Sequence, residues 1–242
     1  DEAGVGEIIS KTVGMFTGYL NNQTAYDEDV VDGWMQTGDA GYFKPSGHLV
    51  VIDRIKDLAC TSNGAQYSPQ YIENKLKFSS FIGEAVILGK DKPYLSAIIC
   101  IRFSIVAKWA EQNGFAFTNY TNLSTLPEVY AKLAEEISRV NETLPESQKI
   151  HKFLLLYKEL DADDGELTRT RKVRRGVIAD KYGDIISAIY DNKDVVDIDT
   201  TVVFQDGTKT RIQTQLKVTS LIANEQSSKA AIEQANIERR AS

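Results

Sequence analysis

A chain of 242 residues, 42% of them hydrophobic, is long enough for one large domain or two small ones with proper cores. Its formal charge of −6 argues against wholesale binding to nucleic acid or to an anionic membrane. With no run of about 18 apolar residues and no signal peptide at its start, the chain is expected to touch a membrane peripherally at most.

In chain order, Gly6–Ser10 reads as a strand, 14–20 as a looped segment and 27–32 as an acidic connection. Residues 33–42 hold three glycines and two aromatics and read as a turn-rich loop. Pro45-Ser46-Gly47 predicts a hairpin turn into a strand over 48–53. Three charges then crowd 54–57, a short apolar pulse and a Ser-Asn-Gly turn follow, and Pro69 starts a helix to 78. Residues 84–88 and 95–101 are apolar strands; Ser104 is placed to cap a helix that Gly114 stops. The spacing of Leu126, Tyr130, Leu133, Ile137, Val140 and Leu144 predicts an amphipathic helix over 127–144. A strand at 150–157, a polar loop at 159–170 and a Thr170-capped helix come next. Strands at 200–205 and 208–218 are joined by Asp206-Gly207, and the polar tail from Glu225 reads as frayed.

This order predicts an α+β protein: the end of a β-rich subdomain (1–53), a small α+β domain (54–190) and an extension (191–242) carrying an extra hairpin. Within the middle domain a short hairpin precedes a mixed sheet with flanking helices. Opening at Asp1 in a turn, the chain reads as cut from something larger, and an exposed cut face on 1–53 leaves room for homo-oligomers. Cys60 and Cys100 lie far apart with no metal-pair partner, which predicts a reduced, cytoplasmic protein without a metal site. Cys60 reads as a small buried residue, His48 and His151 as structural, and the sequons at Asn22, Asn122 and Asn141 as chance matches.

Five cations fall between Arg169 and Arg175 at a loop-to-helix junction. A solvated face, a nucleic-acid or localisation patch, and a phosphate-facing loop all fit them. Asp39, between glycines, is either an Asx-turn residue or a carboxylate for the paired hydroxyls of a ribose.

Gly6-Glu7-Ile8, Gly18-Tyr19-Leu20, Gly33-Trp34-Met35-Gln36-Thr37-Gly38-Asp39, Asp53-Arg54-Ile55-Lys56-Asp57 and Gly165-Glu166-Leu167-Thr168…Lys172 occur in one order that resembles the later motifs of acyl-adenylate-forming enzymes. Thr61-Ser62-Asn63-Gly64, Ser68-Pro69-Gln70-Tyr71-Ile72-Glu73-Asn74 and Lys92-Pro93-Tyr94-Leu95-Ser96-Ala97 are most similar to long-chain fatty acyl-CoA synthetases. The resemblance implies a ligase that joins a fatty acid to CoA with ATP and Mg2+, through an acyl-adenylate. It implies that Asp39 binds the ribose, Arg54 the ribose or phosphate, and Lys172 the reacting phosphate, with Lys56 as the hinge. Ser62, Asn63 and Gly64 would line the CoA path.

The Pro-Lys-ending phosphate loop and the adenine-side motif of such enzymes are absent from this sequence. The chain alone is therefore expected to catalyse no ATP–pyrophosphate exchange. Arg169 stands where many relatives carry Pro. Two alternatives remain at this point: a non-catalytic binding or regulatory module, and a ligase that hands its acyl group to a carrier-protein thiol.

Overall fold

The computed structural model describes residues 5–203 and 209–221. Its first sheet comprises β1 (Gly6–Ser10), β2 (Val30–Val31, entered from helix α1, Gln23–Asp29), β3 (Trp34–Phe43) and β4 (Leu49–Arg54). β3 is the spine: β1 pairs along one edge, and β2 and β4 share the other, all antiparallel. The stretch expected to be a turn-rich loop at 33–42 is thus the longest strand of this sheet. Gly33 does turn the chain, at φ +76 between β2 and β3, but Gly41 serves close approach, since a Cβ there would sit 2.6 Å from the Val50 carbonyl oxygen. The acidic connection is partly helical, because Asn22 accepts from the Ala25 N–H and caps α1.

A 3-10 turn, Ile55–Asp57, leads out of β4 into a two-stranded hairpin, β5 (Ala59–Cys60) and β6 (Gln66–Tyr67). Cys60 is exposed there, contrary to expectation. Then come α2 (Pro69–Lys77), β7 (Ile82–Leu88), β8 (Leu95–Ile101), α3 (Phe103–Gln112), α4 (Tyr120–Thr125), α5 (Pro127–Asn141) and β9 (Ile150–Leu155). Helices α6 (Arg175–Lys181) and α7 (Gly183–Tyr190) follow, then β10 (Val195–Val203), β11 (Lys209–Lys217) and β12 (Thr219–Ser220).

The main sheet has the order β12-β9-β8-β7, with β8 and β9 parallel and the other pairs antiparallel. Parallel neighbours need a long crossover, which α3, α4 and α5 supply. The near-continuous apolar strands reflect burial on both faces. Ala85, Ile87, Ala97, Ile99, Phe153 and Leu155 face α2–α5, while Val86, Ile98, Cys100 and Leu154 face α6, α7 and the β10–β11 ribbon. The α+β class is borne out, as several small sheets with flanking helices.

Local corrections have local causes. α3 begins at Phe103 with Arg102 as an uncapped N-cap, so Ser104 lies inside the first turn. α5 ends at Asn141, whose buried amide exchanges two 2.9 Å bonds with the Ile150 backbone and so is closed to glycosylation in the folded chain. Thr170 does not cap a helix: its hydroxyl meets that of Thr168, and the helix starts at Arg175. His151 stacks on Tyr94 at 4.9 Å. The Asp206-Gly207 turn and the tail from Glu225 lie outside the described residues.

Candidate functional site

Asp39 and Arg54 face each other as register partners across β3 and β4. Arg54 Nε lies 3.2 Å from Asp39 Oδ1, and its Nη1 donates to the Thr37 carbonyl at 2.9 Å. Thr37 in turn donates to the Ile8 carbonyl at 2.6 Å and accepts from the Asp39 N–H. Gly38 adopts φ +68, a left-handed backbone conformation that favours glycine beside the Arg54 guanidinium. The side chains are 38% (Asp39) and 57% (Arg54) exposed, so the pair itself contributes little stability. Among the described residues Asp39 Oδ2 is left without a hydrogen bond, free to accept a ligand hydroxyl.

Strand β4 ends in a second junction. Asp53 Oδ1 accepts from the Arg54 N–H at 2.8 Å, and its Oδ2 accepts from the Ser68 hydroxyl at 2.5 Å. Ser68 also caps α2 by accepting from the Tyr71 N–H. Between Asp53 and Ser68 lie the 3-10 turn with exposed Lys56 and the loop carrying Ser62, Asn63 and Gly64. Thr61 closes this loop through its hydroxyl, which donates to Asn63 Oδ1 and accepts from the Ala65 N–H. The Ser62 N–H donates to the Lys92 carbonyl at 2.9 Å and the Asp91 N–H to that of Cys60 at 3.0 Å, fastening the loop to the β7–β8 turn. Gly64 sits at φ +83 with open space around it.

Lys172 lies on a hairpin of its own. The Arg174 N–H donates to the Glu166 carbonyl, Leu167 pairs with Val173, and the Thr168 N–H donates to the Lys172 carbonyl at 2.8 Å. Arg171, at φ +58, closes the turn with its N–H on the Thr168 carbonyl. This is a three-residue loop whose last residue is left-handed, and Arg169 occupies the first loop position. The Lys172 side chain is exposed and makes no hydrogen bond or ion pair among the described residues.

Residues 56–194 match the model for the AMP-binding enzyme C-terminal domain. The chain belongs to that family. A long-chain-fatty-acid–CoA ligase of Mycobacterium tuberculosis is 32% identical over 189 residues, covering 78% of this chain and 32% of that relative. A Gallus gallus long-chain-fatty-acid–CoA ligase is 29% identical over 209 residues, covering 78% and 27%. The chain thus spans about a third of the length of the curated relatives it matches. The adenylation domain of a carboxylate reductase from Mycobacterium chelonae shares the fold, with a TM-score of 0.57 at 19% identity over 78% of this chain and 28% of that one.

In this AMP-binding C-terminal domain, two of the arginines beside Lys172 reach buried carboxylates, Arg175 closely and Arg171 from a largely solvated position. Arg175 Nη2 lies 2.8 and 2.7 Å from the two oxygens of Glu73, whose Oε1 also accepts from the Ile87 N–H. Arg171 reaches the buried Glu84 at 3.5 Å. No contact joins Lys172 to Asp39, Arg54 or the Gly64 loop among the described residues; only Asp39 and Arg54 are brought together.

Glu166 went unassigned from sequence although it lies inside a quoted motif. It is fully buried (0% exposed). Burial would push its carboxyl up, but bonds from Lys158, Lys181, Tyr182 and the Asp161 N–H outweigh this and hold it below the usual carboxylate value. Its partners Lys158, just before the loop, and Lys181, at the end of α6, are brought to it only by the fold.

Proposed function

We propose that this chain is the C-terminal part of a long-chain fatty acid–CoA ligase that works in two half-reactions. Residues 1–53 close the large domain, 54–190 form a small domain that turns about Lys56, and 191–242 extend it. In the first half-reaction the fatty acid carboxylate attacks the α-phosphorus of ATP, the bond to the bridging oxygen breaks, and pyrophosphate leaves. Charge grows on the phosphoryl oxygens, and the Lys172 ammonium stabilises it. Asp39 accepts from the ribose hydroxyls through its free oxygen, with Arg54 alongside. In the second, the thiol of CoA loses its proton and attacks the acyl carbonyl carbon, and AMP leaves; Ser62, Asn63 and Gly64 line the approach of the thiol arm.

The observation that carries this reading is the unpaired Lys172 ammonium at the end of an ordered hairpin, in a chain whose curated relatives are named as such ligases. Among the described residues no three of His, Cys, Asp and Glu gather in a cluster that could hold a metal ion.

The test is Lys172→Ala in the full-length ligase. Adenylation, read by ATP–pyrophosphate exchange, should fall by about 10²–10³-fold. Thioester formation from supplied acyl-adenylate should be spared, and equal loss of both would refute the assignment.

A further inference from the structure

Glu166 is buried, charged and unused by the chemistry above. Each of its oxygens accepts two bonds: Oε1 from Lys181 Nζ at 2.7 Å and Tyr182 Oη at 2.6 Å, and Oε2 from Lys158 Nζ at 2.8 Å and the Asp161 N–H at 2.9 Å. The donors come from three places: the residues after β9, the acidic loop, and the C-terminal end of α6. Asp164 braces the same lysines, at 2.7 Å from Lys158 and 3.3 Å from Lys181. Replacing the whole network by well-packed apolar side chains would cost little stability, whereas removing Glu166 alone would leave the Lys158 and Lys181 charges unpaired. What the carboxylate adds is a fixed direction: four donors from separate elements meet at one point.

From that point the hairpin rises. The Glu166 carbonyl accepts from the Arg174 N–H at 2.9 Å, and Lys172 lies two rungs further, about 7 Å along the ladder. The Lys172 side chain has no hydrogen-bond or ion-pair partner among the described residues, so the hairpin backbone alone sets where its flexible stem begins and how far its ammonium can reach. We propose that Glu166 is a positioning residue for adenylation: it fixes the foot of the hairpin so that Lys172 reaches the reacting phosphate. This inference rests on the reading of Lys172 given above.

The experiment uses the full-length ligase with Glu166→Gln, Tyr182→Phe and Lys172→Ala, each assayed in both half-reactions. A displacement of about 1 Å at a reacting group costs about 10²-fold, so Glu166→Gln should lower the adenylation kcat by about that factor. Its KM for ATP and its thioester half-reaction should stay within about twofold, a split that general loosening would not produce. Tyr182→Phe removes one donor of four with little change in volume, keeping the test open should Glu166→Gln not fold; it should lower adenylation by a smaller factor with the same split. Adenylation unchanged in both Glu166→Gln and Tyr182→Phe while Lys172→Ala lowers it by about 10²–10³-fold, or equal loss of both half-reactions in them, overturns the role of Glu166 alone. Adenylation unchanged in Lys172→Ala overturns the reading of Lys172 and this inference with it.

Discussion

Replacing Arg175 by Met tests whether the cations beside Lys172 hold the fold. Arg175 joins the start of α6 to the Glu73 carboxylate on α2, and its Nη1 reaches the Ile87 carbonyl of β7 at 3.3 Å. Breaking a fully buried ion pair costs about 3–5 kcal/mol, because a charge is left unpaired. Here the Glu73 side chain is 5% exposed but that of Arg175 is 41%, so solvent screens part of the interaction and about 2–3 kcal/mol remains at pH 7. With a urea m-value of about 2–3 kcal/mol/M, the midpoint should fall by about 1 M. Burial pushes the Glu73 carboxyl up and Arg175 opposes this. Without Arg175 the folded-state value rises further above the unfolded one. A group raised on folding contributes favourably below its unfolded value of about 4.3 and loses that contribution as pH rises through its folded value. The deficit of Arg175→Met should therefore be present at pH 7 and shrink by more than half at pH 4, where Glu73 takes up a proton. A deficit equal at both pH values would assign the loss to packing of the arginine stem and refute the charge argument.

Other outcomes are equally open to measurement. Cys60 is exposed, whereas burial pushes the Cys100 thiol up to about 12, so an aromatic disulfide reagent at pH 8 should titrate one thiol in the native chain and the second only on unfolding. Rapid reaction of both would contradict the packing of Cys100. Ser68→Ala removes both the α2 cap and the bond to Asp53, and should cost about 1 kcal/mol or somewhat more. Asp53→Asn keeps the cap; if the Asp53–Ser68 bond holds the first sheet against α2, limited proteolysis within 54–58 should accelerate in both variants, and unchanged cleavage would dismiss that bond as a tether.

Much of the α+β body could be read in advance because its signals are local. The stepped apolar residues of α5 and the Ser68-Pro69 start of α2 each satisfy backbone and burial within a few residues. The error at 33–42 arose because glycine was taken as a turn residue. In β3 its role depends on partners far away in sequence: the Val50 carbonyl, Ile8 and Arg54 all crowd where a Cβ would be. Helix α4 was missed for a related reason. It is short, and its order rests on the Asn119 cap and the Thr121 hydroxyl's bond to the Tyr157 carbonyl, 36 residues on.

The site divides along the same line. Asp39 with Arg54, Lys56, the Gly64 loop and Lys172 are proposed as site residues because their motifs keep fixed order and spacing. Glu166 and Glu73 were not assigned, because burial of a charge is decided by donors gathered from elsewhere. Glu73 gives a partial signal: it is three residues from Leu76 and beside Ile72, so helical geometry puts it on the buried face of α2. Glu166 gives less, since it sits in an acidic loop where a solvated carboxylate is the natural expectation. Glu73 joins α6 to α2 and β7 through Arg175 and the Ile87 N–H, and Glu166 joins the residues after β9 to the end of α6. The residues that touch substrate in the proposed reaction are exposed and readable, while those that would hold them in place are buried and emerge only in three dimensions. A search for positioning residues in such a domain should therefore begin at buried charges within one or two rungs of an exposed, unpaired one.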